Sequence, residues 1–217
     1  MSNLFINRLA PIEDYKRRWE NFIPSNLDYE KTFRENSQIG LAIKPNDTLW
    51  YIREIENKIS LSTGKWGTKQ AFANRLITTT QSEHLFSSAF WKKYSANRCL
   101  IPVFAYFEWQ MQMTGKKHKF KIEFKDKNSF FGGIWGPMQE STTWVTILTQ
   151  EANEKTAEIH NSGDNKHRQP IVIRNENQNS WLNTKVISES DTKNLITQFQ
   201  QTEIITEDLD HEQTLFD

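Results

Sequence analysis

Apolar residues recur along the chain with two different periods, and the changes of period mark out the elements. Ile12, Tyr15, Trp19 and Phe22 fall at helical spacing behind Pro11, which predicts a short amphipathic helix from Ile12 to Phe22. Leu49 to Ile55 and Lys58 to Trp66 read as strands, the second ending in a Gly64-Lys65-Trp66-Gly67 turn. Ser82 to Tyr94 predicts a helix capped by Ser82, with Leu85, Phe86, Ala89, Phe90 and Tyr94 on one stripe. Cys99 to Trp109 is an almost unbroken apolar run, the pattern of a strand buried on both faces. Lys119 to Phe124 alternates polar and apolar residues after a Gly115-Lys116 turn, as a half-buried strand does. Phe130 to Trp135, Trp144 to Thr149 and Ile171 to Ile173 are further strands. Glu151 to His160 and Ser190 to Gln200 are helical, and Gln178 to Leu182 forms a helical turn. Strands and helices mix without strict alternation. This predicts an α+β fold: a single domain over residues 1–205, with a mainly antiparallel, barrel-like sheet core flanked by short helices. An acidic tail follows over 206–217, fraying from Asp208 onward.

Composition changes this picture in three ways. Trp and Phe are plentiful in the 217 residues, so aromatic burial can build one core with few aliphatics. The formal net charge is zero, but it is unevenly spread. Lys92, Lys93, Arg98, Lys116, Lys117, Lys119, Lys121, Lys125 and Lys127 outnumber Glu108, Glu123 and Asp126, whereas residues 203–217 hold Glu and Asp and no Lys or Arg. A neutral total can therefore conceal a positive face, although solvated lysines on surface strands would show the same pattern. Cys99 is the single cysteine, which excludes an internal disulfide and suits a reducing compartment. No apolar run approaches the length of a membrane span, so the expectation is a cytoplasmic protein with no membrane partner.

Some polar residues stand where a plain core would reject them. Glu108 sits between Phe107 and Trp109 at the end of the apolar run. There it is exposed, paired or protonated, and apolar surroundings would make it a usable acid or base. A strand-end glutamate facing water is the competing reading. His160 closes a predicted helix before Asn161-Ser162-Gly163, where a structural role at the helix end is common. His167 lies in Lys166-His167-Arg168-Gln169-Pro170, and Asn74 in Phe72-Ala73-Asn74-Arg75, where a turn is the default. No phosphate loop, dinucleotide motif, zinc-ligand spacing or Gly-x-Ser-x-Gly elbow is present, so no metal or other cofactor is expected.

Taken in order, several segments resemble one family. Trp66-Gly67, Asn74, Phe86-Ser-Ser-Ala-Phe90, Arg98-Cys99-Leu100-Ile101-Pro102 and Tyr106-Phe107-Glu108-Trp109 are similar to successive motifs of the SOS-response-associated peptidases. So are Phe131-Gly132-Gly133-Ile134-Trp135, Thr149-Gln-Glu-Ala152-Asn153, Ile159-His160-Asn161 and Arg168-Gln169-Pro170, and the resemblance covers about residues 60–185. It implies handling of abasic sites in single-stranded DNA, with an N-terminal cysteine as nucleophile. The family's glutamate matches Glu108, its asparagine Asn74 and its histidine His160, with His167 the alternative. Cys99 then reads as a structural strand residue.

The N-terminal motif departs from the family. The chain starts Met1-Ser2-Asn3-Leu4, so Ser2 stands in place of the cysteine, and Leu76 and Thr78 replace an arginine and a glutamate unless Arg75 substitutes for the former. Removal of Met1 is expected to leave a serine amine. Such an amine can form an imine, but it lacks the thiol that closes a stable thiazolidine. The resemblance thus implies Ser2, Asn74, Glu108 and His160 as catalytic residues, and Trp66, Arg75, Arg168, Lys92 and Lys93 as DNA contacts. The expected partner is single-stranded DNA carrying abasic sites, bound by a monomer. The alternative is a non-catalytic single-strand binder or a degenerate scaffold of the same fold.

Overall fold

The structure is a computed structural model that describes residues 3–24, 29–36, 40–138, 142–183, 185 and 188–210. The chain enters as β1 (Phe5–Asn7), turns through α1 (Ile12–Arg18) and β2 (Phe22–Ile23), and continues through α2 (Tyr29–Asn36) and β3 (Leu41–Ile43). A long hairpin follows, β4 (Thr48–Ile55) and β5 (Lys58–Trp66), then β6 (Thr79–Gln81) and α3 (Ala89–Lys93). The centre holds β7 (Arg98–Pro102), β8 (Ala105–Met111), β9 (Lys117–Phe124), β10 (Phe130–Pro137) and β11 (Thr143–Glu151). The chain finishes with α4 (Glu154–Ile159), β12 (Arg168–Pro170), α5 (Gln178–Leu182), α6 (Glu189–Leu195) and β13 (Ile204–Asp208).

Two sheets carry the fold. One runs β12-β11-β10-β7-β4-β5-β2, and β5 pairs back with β11 in parallel through Trp144↔Lys65 and Val145↔Trp66, which closes a ring. The other runs β13-β9-β8-β1-β3 and is antiparallel throughout. The α+β, barrel-like, mainly antiparallel expectation describes this architecture. Each ring strand serves two cores because its side chains alternate between faces. On β7, Leu100 packs with Tyr15, Trp19, Ile52 and Trp181, while Cys99 and Ile101 pack with Tyr51, Trp66, Tyr106 and Phe131. Arg98 opens β7 fully buried, and its guanidinium donates to the carbonyls of Ser95, Trp181 and Asn183, pinning α5 to the ring.

Several elements differ from the sequence expectation for identifiable reasons. The Cys99–Trp109 run is two strands in different sheets. Pro102 has no N–H to extend the ladder, and the chain crosses over at Val103-Phe104, where Phe104 N–H donates to Ile6. The predicted Ser82–Tyr94 helix is a 3-10 turn at Ser82–His84 followed by α3, capped by Ser88 rather than Ser82. Phe22 leaves the first helix, which stops at Arg18, and joins β2 beside β5. α4 begins at Glu154, because β11 runs on to Glu151 and Asn153 caps the helix, and α6 ends at Leu195. The strand placed at Ile171 to Ile173 is Arg168–Pro170, paired to β11. The acidic tail does not begin at 206 or fray at Asp208. Thr206, Glu207 and Asp208 belong to β13, where Asp208 meets His118 at 2.8 Å and Glu207 lies 4.0 Å from Lys121. The acidic segment thus lies along the lysine-rich strand whose charge it complements; residues 211–217 lie outside the described residues.

Candidate active-site cleft

A cleft of about 820 Å³ opens where β8, β6, α4 and the start of β1 meet. Glu108 and Tyr106 share one buried face of β8, whereas Phe107 and Trp109 alternate onto the other beneath Lys119, with Trp109 also reaching the cleft lining. Glu108 is consequently 2% exposed. β1 runs antiparallel to β8, with Phe107 N–H donating to the Leu4 carbonyl, and this brings Asn3 into the cleft lining beside Glu108.

His160 ends α4 and is 7% exposed. Its Nδ1 lies 3.1 Å from the Arg168 carbonyl and its Nε2 lies 3.8 Å from Glu108 Oε2. A carbonyl only accepts, so Nδ1 carries the hydrogen, and in the neutral ring Nε2 presents a lone pair toward Glu108. Burial pushes the imidazole pKa down to about 4, which keeps the ring neutral near pH 7. At 3.8 Å the two groups are too far apart for a direct hydrogen bond, yet close enough to hold a third polar group between them. That arrangement suits proton exchange with a bound substrate. Beneath it the buried hydroxyls of Tyr106 and Thr156 face each other. Burial, and then the Glu108 charge, push the Tyr106 phenol far up, so it stays protonated.

Two arginines line the cleft, and carboxylates hold both. Arg168 grips Glu83 with two bonds of 2.8 and 2.7 Å and also donates to the Thr149 carbonyl at 2.8 Å. Partial burial would raise the Glu83 carboxyl, but the Arg168 bonds outweigh it and hold the carboxyl below its ordinary range. Arg75 is largely exposed and lies 3.4 Å from Asp164, which belongs to the loop between His160 and Arg168. Leu76 and Thr78 form part of the wall. They rest against Gly67, whose φ of +105° suits glycine, and an added Cβ there would come within 2.9 Å of Leu76.

The fold thus gathers Glu108, His160, Arg75 and Arg168 into one cleft. Asn74 is exposed and does not line it, although its neighbours Ala73 and Arg75 do. Ser2 lies outside the described residues. His167 is exposed at φ +60°, and its N–H donates to the His160 carbonyl, closing the loop that carries Asp164. Trp66 must be corrected as a DNA contact. It has no exposed surface, packs edge-on against Phe5 at 4.9 Å and donates its indole N–H to Thr78, so no base can stack on it. Lys92 and Lys93 are exposed on α3 outside the cleft lining. Sequence reasoning missed Asn3, Thr149, Lys117 and Asp164 as lining residues; the parallel register of β6 on β11, which brings the Thr78–Gln81 segment to the site, has no local signal. Cys99 is fully buried and its thiol is pushed up strongly by burial, consistent with a packing role. No helix among the described residues is long and apolar enough to cross a membrane.

The family model described as SOS response associated peptidase (SRAP) matches residues 9–212. The chain belongs to the SOS response associated peptidase family. Abasic site processing protein YoqW of Bacillus subtilis (strain 168) is 26% identical to this SRAP chain over 125 residues, 55% of the chain and 53% of YoqW. Abasic site processing protein YobE of the same organism is 29% identical over 102 residues, 45% of the chain and 44% of YobE. The chain spans about half the length of the curated relatives it matches. A solved protein structure from Bacteroides thetaiotaomicron superposes with a TM-score of 0.74 at 17% identity, covering 94% of this chain and 90% of that one. One from Bordetella bronchiseptica superposes with a TM-score of 0.71 at 15% identity, covering 96% and 99%. Such identities establish a shared fold, and it extends over nearly the whole of this chain and of those structures.

Proposed function

We propose that the chain binds single-stranded DNA and processes abasic sites in it through a reversible imine at the Ser2 amine. The observation that carries this reading is the buried Glu108 carboxylate facing His160 Nε2 at 3.8 Å in a cleft that Asn3, the residue after Ser2, also lines. The relatives named as abasic site processing proteins support the substrate class. An α-amine has a pKa of about 8, so an appreciable fraction is unprotonated near neutrality. The amine nitrogen adds to the aldehyde carbon of the ring-opened sugar, and water leaves as the imine forms. Glu108 and His160 carry the protons that addition and water loss require. A serine hydroxyl closes the ring onto an imine far less durably than a thiol. The adduct therefore turns over by hydrolysis, or by β-elimination of the 3′ phosphate once a base removes the C2′ proton.

Borohydride trapping tests the reading. The protein is first shown by intact mass to have lost Met1, then mixed with single-stranded DNA carrying one abasic site. Hydride reduction of the imine should give a covalent adduct whose modified residue is Ser2, strongly reduced in Glu108→Gln. Absence of an adduct with correctly processed protein rejects the enzymatic reading. The replacement of the family's cysteine by Ser2 favours a second reading, a non-catalytic single-strand binder. That reading requires salt-sensitive DNA affinity that survives Glu108→Ala.

A further inference from the structure

Among the described residues Phe72 is the exposed aromatic side chain, and the cleft does not explain it. It stands at the rim in the loop between Thr68 and Ile77, 64% exposed, while its neighbours Ala73 and Arg75 line the cleft itself. The loop is braced rather than loose. Thr68 and Ile77 exchange backbone hydrogen bonds of 2.9 Å at its base, and Ala73 N–H donates to the Gln70 carbonyl at 3.0 Å. Phe72 also meets the edge of Phe90 at 5.1 Å, and Phe90 is anchored in turn against Trp91 at 4.7 Å and Tyr94 at 5.3 Å. An aromatic ring is thus held outward by an aromatic support continuous with the core, its outer side left to solvent. Lys69, Lys92 and Lys93 are exposed on the loop and on α3, and carry no ion pair among the described residues. Glu83 and Asp164, the carboxylates on this side of the cleft, are engaged by Arg168 and Arg75.

A fixed, exposed aromatic beside unneutralised cations fits a nucleobase stacked on the ring with its backbone phosphates on the lysines. We propose that Phe72, backed by Phe90, is a stacking ledge for the base next to the nucleotide held in the cleft, with Lys69, Lys92 and Lys93 receiving the flanking phosphates. The inference rests on the single-stranded-DNA reading above and adds a specific subsite to it. The ledge would grip any base, because every base offers a π face, and would hold the strand in register while the baseless sugar enters the cleft.

Fluorescence anisotropy decides the matter with two oligonucleotides: one carrying a single abasic site among ordinary bases, the other abasic at the flanking positions as well. On the first strand Phe72→Ala should bind about 5- to 100-fold more weakly than the wild type, and Phe72→Trp should bind at least as well as the wild type. On the second strand, where no flanking base exists to stack, the Phe72→Ala loss should vanish. The exposure of Phe72 makes an unchanged melting temperature the expected folding control. Equal binding of Phe72→Ala and wild type to the first strand overturns the ledge, as does an equal loss on both strands. Failure of the wild type to bind either strand refutes the single-strand reading and the ledge with it.

Discussion

His160→Asn should change how stability responds to acid, with a size that follows from burial. The His160 side chain is 9% exposed, and its pKa is pushed down to about 4 from an ordinary 6.5. Between those values the unfolded chain binds a proton that the folded chain refuses, so the imidazole's contribution is present above pH 6.5 and is lost as pH falls toward 4. The interval of roughly 2.5 units, at about 1.4 kcal/mol each, corresponds to a loss on the order of 3 kcal/mol. An asparagine side chain keeps an N–H for the Arg168 carbonyl but cannot titrate, so its variant lacks this term. Urea unfolding followed by tryptophan fluorescence at intervals from pH 7 to pH 4 measures both proteins, and titrations they share largely cancel in the difference. At pH 7 the variant should be the less stable by its packing cost, and the gap should narrow by about 3 kcal/mol as pH falls to 4. A gap that stays constant refutes the reasoning. A gap that widens shows that attraction to the Glu108 carboxylate outweighs burial and raises the imidazole's affinity for a proton.

Other outcomes follow from single contacts. Arg98→Met should cost about 3 kcal/mol or more in denaturant unfolding, because it leaves three buried carbonyls without their donor. Gly67→Ala should cost roughly 1–3 kcal/mol from its positive φ and its collision with Leu76, and should shift the cleft wall, read as a lowered melting temperature. Glu83→Gln should cost under about 1 kcal/mol, since the Glu83 side chain is half exposed, yet should strengthen single-stranded DNA binding by releasing Arg168; unchanged affinity in anisotropy would show that Arg168 takes no phosphate. Cys99 should resist thiol reagents in the folded protein and react only on unfolding, so its modification rate in mild denaturant should track the unfolding equilibrium.

Local pattern was enough to place the elements whose signals lie within one stretch of chain. The period-two alternation of Lys119–Phe124 marked β9, and the hairpin of β4 and β5 was legible to within a residue. Ordered motifs were enough to name the family and to single out Glu108 and His160, because those residues sit within the segments that carry the resemblance. Long-range geometry decided the rest. One apolar run from Cys99 to Trp109 became two strands in two sheets, which sent Glu108 into the cleft. The Ser82 cap lost to Ser88, a competition between two adequate caps that packing resolves.

The sequence by itself determined the α+β class, the SRAP scaffold and the residue types available for proton transfer, since these depend on patterns read over a few neighbours. Only the tertiary structure decided which of them meet. His160 rather than His167 faces Glu108, because the His167 N–H closes the intervening loop onto the His160 carbonyl and leaves the His167 side chain outside. Trp66 went into the core and Phe72 stayed at the rim, a division that hydrophobicity alone cannot make. The charge segregation visible along the chain was resolved by the pairing of β13 with β9, and the two cleft arginines were joined to carboxylates far away in sequence. Such pairings depend on distances through space, which the order of residues constrains only once the whole chain has folded.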